Sequence, residues 1–337
     1  MNFDVAMPLT LFLVTSTAMF LDTKTRGKLQ VTFEEREFGI RDAVLLVASI
    51  SVMVSIIVFI PRLAIMALFL FSYSALLFIF TYLFSDFDKY VARLFLLAFL
   101  AVSLVAGCTS LTNAGFNNTP IYGTLTFFGL AGFTLMALMY EETRIGKGER
   151  PYLAALPPAL FICLYLFFNG TPIWFPYLLN IYGVVFAILI TIYLGSLFTW
   201  KTSLIFSGLL TIMDIVLVLF TGTMISAAKQ VTGLMLPVLV TVPTIPTIVF
   251  QGGRLYMSLG LGDFFFAGLI AVQTYRNCGR ILAMLSVVAM CISFFIFETY
   301  LLSYDLRAFP GTLMIISGWL PFLLWGAATN FGRERKN

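Results

Sequence analysis

Leu259-Gly260-Leu261-Gly262-Asp263-Phe264-Phe265-Phe266 places a carboxylate behind two glycines and ahead of an aromatic run, inside a long apolar stretch. An acid at membrane depth costs about 2.5–3.5 kcal/mol on an insertion scale, so such residues face a partner or a water-filled cavity. Finding the partner of Asp263 requires ordering the apolar runs around it.

Those runs dominate the chain. Of its 337 residues 60% are hydrophobic, only 11% are charged and 36 are Phe, and mean hydropathy is +0.99. Repeated apolar windows of bilayer length identify an all-α polytopic membrane protein. The chain holds 0 His, which excludes Ser-His nucleophiles and His-based zinc centres. Cys108, Cys163, Cys278 and Cys291 form no CxxC pair and read as small buried hydrophobes. The net charge of +4 carries no nucleic-acid footprint. No metal or other cofactor is implied. The run Met7 to Leu21 follows an acidic segment without a cleavage signature and is expected to stay as the first helix.

Apolar spans are expected near 7–22, 41–60, 63–84, 92–110, 119–140, 151–168, 173–198, 203–226, 256–275, 281–301 and 309–328, with Pro61-Arg62 as a turn. Alternating these spans with the amino terminus outside puts 16 of the 20 basic residues on the inner side. Only Arg62, Lys229, Arg254 and Arg307 then fall outside, as the positive-inside rule requires. The sequons Asn117-Asn118-Thr119 and Asn169-Gly170-Thr171 fall outside too, although chance alone would supply two. The mixed charges at 22–42 and 141–150 read as solvated inner loops. Between the eighth and ninth spans, Pro237, Pro243 and Pro246 alternate with Val238, Val240, Thr241, Val242, Ile245, Ile248 and Val249. Proline argues against a straight helix there, so a re-entrant or membrane-embedded segment is expected rather than a twelfth span.

Three acids lie in the apolar cores: Asp214, Asp263 and Glu298. Glu298 is near a helix end and is expected to snorkel to the outer surface. Asp214 lies 13 residues after Lys201 and Asp263 lies 13 residues before Arg276. At 1.5 Å per residue, each is about 20 Å from an inner-side anchor, so antiparallel helices would hold the two acids level. Carboxylates that share a water cannot both ionise easily and together hold one proton. One can then take a proton from water while the other donates to a carbonyl, which is the chemistry of peptide hydrolysis. Paired acids also suit sodium or proton binding in a carrier, or a purely structural hydrogen bond. Gly260 and Gly262 favour close approach of another backbone to Asp263, though Gly pairs also serve helix packing.

On these residues the chain resembles the presenilin and signal peptide peptidase family of intramembrane aspartyl proteases, particularly archaeal and bacterial-type members. Gly260-Leu261-Gly262-Asp263 is similar to the family's Gly-x-Gly-Asp signature, and Asp214 in Thr211-Ile212-Met213-Asp214-Ile215-Val216 matches its other catalytic acid. Pro310-Gly311-Thr312 occupies the place of the family's Pro-Ala-Leu turn, with Gly and Thr replacing Ala and Leu, and Met213 stands where Tyr is usual.

The resemblance covers roughly residues 203–329. It implies a presenilin-like bundle of 9 to 11 transmembrane helices: a scaffold at 1–202, where either two helices are additional to the family's number or the division into spans is too fine, a catalytic core at 203–329 and a basic inner tail at 330–337. It further implies catalytic Asp214 and Asp263, substrate contacts at Gly260, Leu261, Gly262, Pro310, Gly311 and Thr312, and transmembrane peptide substrates in a prokaryotic plasma membrane. The segment from Leu236 to Val249 is a candidate strand partner for unwound substrate. Thr211, Thr221, Thr223, Ser226 and Gln251 are candidates to line a water path, against their commoner role in bonding helix carbonyls. An ion-coupled carrier or an inactive protease-like scaffold stays open as the alternative, and oligomeric state is not legible.

Overall fold

The computed structural model describes residues 3–32, 38–86, 88–112, 119–144, 150–250, 253–304 and 309–334. Arg36, Asn117, Asn118, Lys147, Gln251, Arg307, Ala308 and the tail residues 335–337 lie outside the described residues. The helices are α1 (Ala6–Thr32), α2 (Ile40–Ile56), α3 (Arg62–Leu83), α4 (Lys89–Thr112), α5 (Thr119–Thr143), α6 (Pro151–Phe168), α7 (Leu179–Leu197), α8 (Trp200–Ile215) and α9 (Thr223–Thr232). Four short strands follow: β1 (Leu239–Pro243), β2 (Val249–Phe250), β3 (Gly253–Arg254) and β4 (Tyr256–Gly260). Then come α10 (Leu261–Cys278), α11 (Arg280–Ser303) and α12 (Gly311–Glu334).

This is a mostly helical, polytopic integral membrane protein. Among the described residues nine helical stretches are long and apolar enough to cross a bilayer; α10 and the apolar Gly311–Leu324 part of α12 are shorter or less apolar. Each of the eleven expected spans contains a helix. Packing divides the chain into two units, residues 66–178 and residues 1–65 with 179–337.

In the unit formed by 66–178, α4 lies along α5 and both touch α6. Glu142 is exposed as a solvated loop would have it, but Glu141 and Arg150 are not. Arg150 and Glu141 are 2% and 1% exposed. Arg150 Nη2 and Nε donate to Glu141 Oε1 at 2.9 and 3.1 Å, and Nε also reaches Oε2 at 3.2 Å. The Tyr152 hydroxyl donates to the same carboxylate, and Arg150 Nη1 donates to Ser85 O at 3.4 Å. A carboxylate and a guanidinium nine residues apart thus satisfy each other, which charge counting cannot foresee.

In the other unit α10 is the central element, packed by α1, α7, α8, α11 and α12. Phe264, Phe266, Ala267, Leu269 and Ala271 are fully buried on it. Gly268 brings α7 close, since any side chain there would collide with Thr191. The carboxyl-terminal end of α10 is pinned by Arg276, whose Nη2 and Nε meet Asp22 Oδ1 and Oδ2 at 2.6 and 3.1 Å. Gln273 Nε2 donates to Phe198 O at 2.7 Å. Asp22 is therefore buried in an ion pair rather than solvated, and α1 continues to Thr32. The cysteines also depart from expectation: Cys108 is exposed, and Cys163, Cys278 and Cys291 are half-buried.

Two span boundaries differ from the expected ones. The eighth helix passes into a wider π turn over Val216–Phe220 and stops at Thr221-Gly222, where Gly222 takes φ +65°. The residues to 226 begin the separate helix α9, which buries Ala227 and Val231. The ninth helix starts at Leu261, not 256, because Tyr256–Gly260 is strand β4. Hydropathy scores Tyr256, Met257 and Leu259 as apolar whatever their backbone does. A β-branched partner at β1 takes them into an antiparallel ladder instead, with Leu239 opposite Gly260 and Pro243 opposite Tyr256.

Candidate active site

Thr199 caps α8, its hydroxyl accepting the Thr202 N–H at 3.3 Å, and the helix carries Asp214 near its other end. Asp263 stands on the first turn of α10, where the helix dipole favours an acid. The Gly260 backbone N–H faces its carboxylate. Both acids are half-buried and line the same cavity of about 130 Å³. That volume accommodates several waters. Asp214 is the charged neighbour of Asp263.

The amino end of α12 touches both carboxylates. Thr312 Oγ1 donates to Asp214 Oδ2 at 2.7 Å, and the Thr312 N–H donates to the same oxygen at 3.2 Å. One residue earlier, a methyl at Gly311 would stand 2.6 Å from Asp263 Oδ1 and 2.7 Å from its Cγ. Consecutive residues therefore contact the two acids, which brings α8, α10 and α12 together at one point.

Of the other residues singled out in the sequence, Gly260, Gly262, Met213 and Thr312 line the cavity, and among the described residues a Cβ placed at Gly262 would meet open space beyond its own helix backbone and chain neighbours. Leu261 and Pro310 are buried and do not line it. Thr211 and Thr221 bond the helix carbonyls of Ser207 and Leu217. Thr221 and Thr223 bond each other, Ser226 is exposed, and none of the four lines the cavity. Sequence reasoning missed Ile50, Ser51 and Val54 of α2 and Met224 of α9. No sequence signal marks them, because Ser51 already bonds the Val47 carbonyl and α2 otherwise reads as an ordinary span.

Glu298 does not snorkel. It is 1% exposed, and neither carboxylate oxygen has a hydrogen-bond partner among the described residues. Edge and stacked contacts of Phe295 with Phe3 and of Phe297 with Phe309 flank it near the carboxyl-terminal end of α11. Its charged neighbour is Asp4, whose carboxylate accepts the N–H groups of Ala6, Met7 and Ile245 at 3.0, 3.2 and 2.7 Å. A buried polar group without a partner is a net cost of about 1–3 kcal/mol. Glu298→Met, of similar length, is expected to recover that amount as a higher midpoint of thermal unfolding in detergent; a lower midpoint would show that the carboxylate stabilises the fold.

The hairpin also has one edge closed. Asn180 of α7 donates through Nδ2 to Thr241 O at 2.6 Å and accepts the Thr241 N–H through Oδ1 at 2.7 Å. Thr241 thus points its backbone away from β4, and alternation puts the backbone of Ser258 on the far side of β4. Comparison of the chain with protein-family models, with curated proteins and with solved structures finds no match.

Proposed function

We propose that this chain is an intramembrane aspartyl endopeptidase that hydrolyses peptide bonds within transmembrane helices or remnant signal peptides, similar to the presenilin and signal peptide peptidase family. The observation that carries the reading is that Asp214 and Asp263 line one cavity, each against a neighbouring residue of the α12 turn. The ionised carboxylate takes a proton from a cavity water as the water oxygen bonds to the scissile carbonyl carbon. The neutral carboxyl gives its proton to the carbonyl oxygen. When the resulting diol collapses, the C–N bond breaks, the leaving nitrogen takes up the first proton, and a diol hydroxyl returns its proton to the second carboxylate as the new C=O forms.

A substrate helix must unwind before its amides are exposed to water. The hairpin supports extended recognition but shifts its location from the expected stretch at 236–249. Asn180 occupies the outer edge of β1 at Thr241, whereas Ser258 on β4 is exposed, two residues before Gly260. Strand addition to β4 would deliver a substrate backbone toward Asp263.

The basic residues favour a prokaryotic plasma membrane orientation with the amino terminus outside and the carboxyl terminus inside. The purified chain, reconstituted in liposomes with a fluorescent transmembrane peptide, is expected to release fragments cut within the apolar segment. Intact peptide together with proton- or sodium-driven uptake would establish the carrier instead, and intact peptide without uptake would leave an inactive scaffold.

A further inference from the structure

Two chemically identical acids must be made unequal if one is to act as base and the other as acid. Among the described residues Thr312 hydrogen-bonds only one of them. Its hydroxyl and its N–H both end on Oδ2 of Asp214, while Oδ1 has no hydrogen-bond partner among the described residues. Both donors require lone pairs, so Oδ2 is held as an acceptor. Thr312 is 4% exposed, and its hydroxyl has no other hydrogen bond among the described residues. Asp263 receives a different kind of support, from the Gly260 N–H of its own helix start.

We infer that Thr312 is a positioning residue that selects the working oxygen of Asp214. With Oδ2 occupied twice, any proton that Asp214 takes from the attacking water resides on Oδ1, and the same Oδ1–H later protonates the leaving nitrogen. The inference rests on the proteolytic reading and deepens it by moving Thr312 from substrate contact to alignment of a catalytic group. A Leu at this place, as in the turn this segment resembles, has no hydroxyl to do so.

The test uses the full-length protein in liposomes with the same fluorescent peptide. Thr312→Val keeps the side-chain shape and the N–H but loses the hydroxyl; Thr312→Ser keeps the hydroxyl and loses the methyl. Thr312→Val is expected to lower kcat roughly 10- to 100-fold with little change in KM, the scale of a misaligned catalytic group. Thr312→Ser is expected to stay within about 3-fold of the wild type. Thr312→Ala serves as a second hydroxyl-free variant where Val fails to fold, as judged by thermal unfolding. An effect confined to KM would return Thr312 to substrate binding and overturn the inference. So would equal losses in Val and Ser, or wild-type turnover in both hydroxyl-free variants. Peptide left intact by the wild type itself would overturn the proteolytic reading and the inference with it, an outcome distinct from the others.

Discussion

Asp214→Asn and Asp263→Asn, made singly, are each expected to lower peptide turnover by about 10³-fold or more while the folded protein persists. Asn keeps the size of the side chain but carries no exchangeable carboxyl proton, so proton transfer to or from water stops. The two acids act as one unit, and the double variant is therefore expected to be no slower than either single. This non-additivity separates a shared proton from two independent contributions. Thermal unfolding of each variant in detergent checks that the fold survives; turnover close to the wild type in either single substitution would remove that carboxylate from the chemistry. In a carrier the same substitutions would abolish ion-driven uptake instead.

The second large effect is expected far from these acids in sequence, at the Arg150–Glu141 clamp. Glu141→Leu removes the carboxylate that pairs this buried guanidinium, and the loss is expected to be about 3–5 kcal/mol. A guanidinium keeps its proton with or without the carboxylate, so it cannot escape the penalty by neutralising. The double variant Glu141→Leu/Arg150→Met removes both charges and is expected to recover most of the loss, because apolar packing can replace a buried ion pair at little net cost. Thermal unfolding of the two variants measures the difference. Equal destabilisation in single and double variants would mean that packing volume, not the stranded charge, dominates.

The helical spans were legible because hydropathy sums along the chain and a bilayer sets the required length. Nothing comparable exists for pairing. Arg276 finds Asp22 across 254 residues, and β4 leaves its helix because β1 lies opposite, so the sequence around either member looks like a solvated charge or one more apolar turn. The candidate site divides along the same line. Asp214 and Asp263 stand out because acids are rare in apolar cores, whereas Ile50, Val54 and Met224 line the cavity as ordinary hydrophobes brought there by packing alone. Glu298 misled for the opposite reason: its distance from the helix end was readable, but not the aromatic contacts that flank it.

The contact between Gly311 and Asp263 makes the two positions a matched set. An alanine at 311, the residue of the resembling turn, would put its methyl where the Asp263 carboxyl now stands. A Pro-Ala-Leu sequence grafted onto this backbone would therefore change two things at once, removing the hydroxyl that holds Asp214 and wedging Asp263 away from it. Here the Asp263 carboxyl fills the space that a methyl at 311 would need, so a larger residue at 311 requires Asp263 to shift.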